Sequence, residues 1–161
     1  GTLNDGWTIA KYLLTHERQM IGGIGETDKK KPLSEIAKEV LGKNNGSLSD
    51  ISIRNKISEL EMNEKIFELT IQRAMDEHKA GNNPGAVSSF FKYYGTELGI
   101  QKEELRLEVN GFNSTGWTSE ESNNGREARL FCRSKGYSIE GGTHEIQLNI
   151  IAKRVLGLPS K

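Results

Sequence analysis

A single cysteine, Cys132, leaves this chain without an intrachain disulfide and suits it to a reducing, cytoplasmic setting. No charge predominates: Lys+Arg and Asp+Glu stand at 22 each, which removes the overall electrostatic case for nucleic acid or an anionic membrane surface. No apolar run approaches the ~20 residues that cross a bilayer, so no membrane span is expected. The opening GTLNDGWTIA has neither the basic start nor the apolar segment of a signal peptide, and it lacks an initiator Met, so the expectation is a chain processed or cut from something longer. One Cys and 3 scattered His offer no metal-ligand spacing. No serine sits in a nucleophile elbow, so a Ser–His–Asp reading has no support. Alternating strand patterns of any length and internal repeats are also missing.

What is present is helical periodicity. With 161 residues and 34% of them hydrophobic, the chain can build one core, as one domain or a piece of a larger protein. The spacing predicts a first helix from Asp5 to about Ile21. Its apolar stripe (Trp7, Ala10, Leu13, Leu14, Met20, Ile21 and Ile24) is expected to be buried. Gly22, Gly23 and Gly25 break it, and Lys29-Lys30-Lys31-Pro32 reads as a solvated linker. A short helix follows through Leu41, then the polar loop Gly42 to Ser49. A second long helix is expected from about Asp50 to Lys79. Its stripe is Ile53, Ile57, Leu60, Phe67, Ile71, Ala74 and Met75, with Glu64 as a satisfied polar group in a helix interface. His78 reads as a surface residue near that helix's C-terminus.

A third helix runs from about Ala86 to Glu108, with Val87, Phe90, Phe91, Tyr94, Leu98 and Leu105 on its core face. Gly111 to Gly125 is polar and glycine-rich, a mobile loop partly anchored by Trp117. A fourth helix, about Arg126 to Lys135, places Cys132 as a small core residue, and a fifth spans about Thr143 to Leu156. The class is therefore all-α, an up-and-down four-helix bundle with short extra helices.

Two features carry chemical interest. The stretch YSIEGGTHEIQLNIIAKRVLGLP sets Gly141 and Gly142 before Thr143, a good N-cap, and ends at Gly157-Leu158-Pro159. Such a turn is either an ordinary capped helix or a cradle for a phosphate-bearing cofactor. Glu17 lies on the apolar stripe of the first helix, three after Leu14 and four before Ile21. A carboxylate there carries a desolvation cost that raises its pKa, which suits a base that takes a proton from carbon. The alternative is a structural pair with Arg18.

These residues also carry a resemblance. IEGGTHEIQLNIIAKRVLGLP resembles the C-terminal signature of the flavin-dependent acyl-CoA dehydrogenases. GWTIAKYLLTHERQMIGG is similar to the first helix of that family's C-terminal domain, and PGAVSSFFKYYGTEL to its third. The likeness runs from Gly6 to Pro159. It implies that residues 1–161 are the C-terminal helical-bundle domain of a larger enzyme whose N-terminal helical and middle β-domains lie outside the sequence. The implied reaction removes the α-proton of an acyl-CoA by a glutamate and the β-hydride by FAD, giving a trans-2-enoyl-CoA.

In many members that glutamate stands immediately before the G-T of the terminal motif, where this chain has Gly141; Glu140 is one residue off. In isovaleryl- and long-chain-like members it stands on the first helix in a pattern like L-x-x-E-R, matched here by Leu14-Thr15-His16-Glu17-Arg18. The resemblance thus implies Glu17 as base. It further implies Arg18 beside it, Gly142 at the thioester, and Thr143, His144, Glu145 and Ile146 lining FAD. It also implies an electron-transfer flavoprotein or similar acceptor, and a homo-oligomer or two-subunit assembly. Two departures stand out. The family's Gln-x-x-Gly-Gly-like segment is not evident at Leu107 to Asn113, and GETDKKKPLSEIAKEVLGKNNG looks like an insertion. A non-catalytic scaffold or partner subunit is the alternative function, and the isolated domain is expected to be inactive.

Overall fold

Asp50 starts the longest helix by direct capping. Its carboxylate accepts from the Ile53 N–H at 2.9 Å, satisfying a donor that the first turn leaves unpaired. From there α3 runs over Ile51–Lys79, because an apolar residue recurs every three or four positions and no Gly or Pro interrupts. The computed structural model describes residues 2–21, 31–81 and 86–159, and in α1 the side chains of 15–21 are outside that description. The other α-helices among the described residues are α1 (Gly6–Ile21), α2 (Leu33–Leu41), α4 (Val87–Asn110), α5 (Arg126–Lys135) and α6 (His144–Ile150). The only strands among the described residues are β1 (Lys43–Asn44) and β2 (Ser47–Leu48), an antiparallel pair with Lys43 opposite Leu48. The expected all-α class stands.

The chain divides into two compact units, and α3 and α4 contribute a segment to each. The unit formed by Thr27–Ile66 and Leu98–Gly136 holds most of the apolar core: Leu33, Ala37, Ile53, Ile57, Leu105 and Val109 are all buried. Its Glu64 pairs with Lys102 at 2.8 Å, as expected of a satisfied polar residue. The glycine-rich 111–125 segment is not the expected loop. It forms two 3-10 turns, Gly111–Thr115 and Glu120–Gly125, and the polar side chains make this possible. Ser114 Oγ donates to the carbonyls of Leu107 and Gly111, and Asn123 and Asn124 adopt left-handed backbone that Asn tolerates. Trp117 does anchor it, with the Arg129 guanidinium 4.2 Å from its ring centroid. Gly125, at φ 74°, lies so close to Trp117 that a Cβ would sit 2.4 Å from the Trp117 carbonyl oxygen. Cys132 is exposed, correcting its placement in the core; α5 turns Ala128 and Ser134 inward instead.

The other unit comprises Gly1–Glu26, Phe67–Glu97 and Tyr137–Lys161. Its centre is aromatic: Phe67 meets Phe91 at 6.1 Å and Tyr94 at 5.7 Å between ring centroids. The stripe of α1 is not buried as expected. Trp7 is 72% and Leu13 56% exposed, as are Tyr12 and Ile9 to a similar degree. Met75 is exposed too, although Ala74 beside it is buried. The last helix starts where predicted but loosens after Ile150 into a π-turn, Ile151–Val155, in which the Leu156 N–H reaches back to the Ile151 carbonyl. Among the described residues no helix is long and apolar enough to cross a membrane.

Candidate functional site

The site is assembled at the start of α6. Gly141 (φ 64°) and Gly142 (φ 101°) both take backbone that a side chain would strain, so the chain reverses sharply before Thr143. Thr143 then caps the helix, its hydroxyl oxygen accepting from the Ile146 N–H at 3.4 Å. Glu145 stands in the first turn. Its own backbone N–H and the Thr143 hydroxyl hold its carboxyl below the usual carboxylate range. Ile146 is half exposed.

Beneath the turn lies Gln147, which is fully buried. Its Nε2 donates to the carbonyls of Gly141 and Gly142, both at 3.2 Å. One NH2 carries two N–H groups, so each carbonyl takes one. The Gln147 Oε1 is buried without a hydrogen-bond partner among the described residues. Leaving a buried acceptor unsatisfied costs about 1–3 kcal/mol.

His144 points the other way, into α4. Its Nε2 lies 2.7 Å from Thr96 Oγ1 and its Nδ1 2.9 Å from Glu97 Oε1. Tyr93 meets the imidazole edge-on at 5.0 Å. Burial and then the charge of Lys92 push the His144 pKa down, against the opposing pull of Glu97. The neutral ring therefore donates from Nδ1 to the Glu97 carboxylate, and its Nε2 lies beside the Thr96 hydroxyl, which also reaches the Lys92 carbonyl at 2.7 Å. Both nitrogens are engaged by α4, so His144 holds the site together and does not present a nitrogen to a ligand. Lys92, itself fully buried, and Thr96 lie one turn apart on α4.

Of the residues expected at the site, Gly142, Thr143, His144, Glu145 and Ile146 come together here. Glu17 and Arg18 lie in α1, but their side chains are outside the described residues, as are Gly22 to Gly25. Sequence reasoning passed over Gln147, Thr96, Glu97 and Lys92. The signal for the α4 group is a polar stripe, Ser89, Lys92 and Thr96, at three- and four-residue spacing on a helix otherwise read for its apolar face; all three are buried. Gln147 follows Gly142 by five residues, and nothing in that spacing announces its contact. No group of three or more His, Cys, Asp or Glu among the described residues could hold a metal ion.

Two consecutive left-handed glycines, a capping threonine and an exposed Ile146 offer backbone and apolar surface together, which suits a planar cofactor with a polar rim. The pattern of the acyl-CoA dehydrogenase C-terminal domain matches residues 4–156. The chain is 30% identical over 159 residues to the acyl-CoA dehydrogenase FadE34 of Mycobacterium tuberculosis, covering 99% of this chain and 20% of that protein. It is 30% identical over 163 residues to the acyl-CoA dehydrogenase IpdE1 of Mycolicibacterium smegmatis, covering 99% and 38%. Among solved structures it is similar to a chain of the ChsE4-ChsE5 complex of Mycobacterium tuberculosis, with a TM-score of 0.72 and 25% identity over 100% of this chain and 43% of that one. The chain thus spans between a fifth and two fifths of the length of the curated relatives it matches.

Proposed function

Because the chain belongs to the acyl-CoA dehydrogenase family, as its C-terminal domain, we propose that it serves a flavoenzyme that α,β-dehydrogenates an acyl-CoA to a trans-2-enoyl-CoA. Glu17 is the base that takes the α-proton. The observation that supports this assignment is Gly141. Where many members resembling this chain carry the carboxylate, it has a hydrogen, on backbone at φ 64° that disfavours any side chain. A glutamate on α1 then supplies the base, and Glu17 is the residue in the L-x-x-E-R pattern.

The chain's own residues divide the remaining work. Gly142 contacts the thioester through its backbone, and Arg18 sits in sequence beside the base. Thr143, Glu145 and Ile146 form the surface against FAD, while His144 supports that surface from behind through Thr96 and Glu97. FAD, when bound, accepts the hydride from the β-carbon and passes the electrons to an electron-transfer flavoprotein or similar acceptor. Replacing Glu17 by Gln in the full-length protein is expected to leave FAD bound and to abolish its bleaching by acyl-CoA. Bleaching at an undiminished rate removes Glu17 from this role.

The second reading is a partner subunit in a two-subunit assembly. It draws on the exposed apolar residues of α1, Trp7 and Leu13 among them, and on the likeness to one chain of a complex of two differently named proteins. Full-length protein that purifies colourless and pairs with a second subunit supports this reading; yellow protein bleached by acyl-CoA supports the first.

A further inference from the structure

We propose that Gln147 is a positioning residue: its buried carboxamide sets the two peptide groups of the Gly141–Gly142 turn, and Gly142 is its required complement. Three observations carry this. The Nε2 donates to both turn carbonyls at 3.2 Å, drawing each toward the interior. A Cβ built on Gly142 would lie 2.7 Å from that same nitrogen, so any side chain at 142 displaces the amide from its acceptors. The other end of the carboxamide, Oε1, is buried with no hydrogen-bond partner among the described residues. An apolar residue such as Met would fill the same space without leaving an acceptor unsatisfied. A side chain chosen for packing alone would therefore not be Gln. What Gln supplies, and Met does not, is the pair of N–H donors.

The consequence is geometric. With both carbonyls held inward, the peptide units on which they sit are fixed, and so is the entry into Thr143 and the first turn of α6. Gly142 and Gln147 then act as one unit five residues apart: the glycine opens the space and the amide occupies it. That this unit shapes the surface met by flavin and thioester rests on the function proposed above; that it fixes the turn does not.

The test separates the two. In the full-length protein without added ligand, Gln147→Met and Gln147→Glu are compared with the parent by hydrogen exchange of the Ile146 and Gln147 backbone amides, which close the first turn of α6 on Thr143. Gln147→Met is expected to exchange at least tenfold faster at these amides while unfolding at the same or a higher temperature. Gln147→Glu is expected to exchange fast at pH 8, where a carboxylate cannot donate, and to regain protection at pH 5, where a carboxyl whose pKa is raised by burial at this site is protonated and donates to one carbonyl again. Parent-like exchange in Gln147→Met, or no pH rescue in Gln147→Glu, overturns the proposal. In flavin-loaded protein, Gln147→Met is expected to shift the visible flavin spectrum and weaken FAD retention; an unchanged spectrum alongside faster exchange overturns the link to the ligand. Parent protein that binds no FAD counts against the proposed function alone, since the exchange arm still decides the role of Gln147.

Discussion

Replacing His144 by Phe isolates what the α4–α6 cross-connection contributes. Phe keeps the ring and its edge contact with Tyr93, so the change in packing is small. It removes the two polar contacts, to Thr96 at 2.7 Å and to Glu97 at 2.9 Å. Thr96 is not left orphaned, because its hydroxyl also reaches the Lys92 carbonyl at 2.7 Å and the Tyr93 carbonyl at 3.0 Å. Glu97 is 37% exposed, so water takes over part of what its carboxylate loses. The expected loss is about 1–3 kcal/mol, which corresponds to roughly a 5- to 150-fold rise in opening of the first turn of α6.

The pH dependence identifies the group responsible. The folded pKa of His144 lies below the ordinary value of about 6.5. Below that value the unfolded chain binds more protons than the folded one, so the contribution of the neutral ring is full above about pH 6.5 and is lost as pH falls through the window beneath it. The charged groups facing it are Lys92 and Glu97 from α4 and Glu145 from its own helix. Glu145, with a lowered carboxyl pKa, acts further into acid and leaves the window just below 6.5 to the imidazole. Thermal unfolding between pH 5 and 7 should therefore show a Tm that rises with pH in the parent and a flatter profile in His144→Phe. Equal slopes in the two proteins refute the assignment of a neutral, bridging imidazole.

The remaining predictions concern the other unit. Gly125→Ala combines left-handed strain at φ 74° with a Cβ forced to 2.4 Å from the Trp117 carbonyl. It is expected to cost about 2–4 kcal/mol and to lower the urea midpoint accordingly; a midpoint equal to the parent's contradicts the packing described for this turn. Asp50→Ala removes the side-chain cap of α3 and should cost about 0.5–2 kcal/mol, read as a Tm lower by a few degrees. Asp50→Asn, which keeps an acceptor oxygen, should recover most of it.

The helices were legible because their signals are local. Repeated apolar spacing placed α2, α3, α4 and α5 to within two residues at each end. What the sequence concealed depends on residues far apart in the chain. Burial of the α1 stripe failed as an expectation because periodicity marks an apolar face without saying what covers it, and here Trp7 and Leu13 are uncovered. The 111–125 segment carries loop composition, yet its serines and asparagines satisfy their own backbone and build 3-10 turns. At the site, IEGGTHEIQ displayed the turn and the cap, but not the partners of His144. Those stand 47 and 48 residues earlier on α4, and a helix read for its apolar face gives no reason to single out Thr96 or Glu97.

The turn at the start of α6 thus has its functional residues working in opposite directions. Gly141 and Gly142 carry no side chain that could take a proton. Gln147 and His144 face inward and hold that backbone, the first through two carbonyls, the second through α4. A carboxylate in the turn itself would have to be placed on a left-handed residue beside a buried amide at 2.7 Å from the next Cβ position, a crowded and strained place for a base. On the function proposed above the base stands on another helix, and the turn can be optimised for rigidity alone. On this argument Glu17 and Gln147 are complementary consequences of one choice. Restoring a turn carboxylate by Gly141→Glu in a Glu17→Gln background should therefore recover little flavin bleaching. Recovery to near the parent rate would show that the turn tolerates a base after all and that its rigidity is not what moved the glutamate to α1.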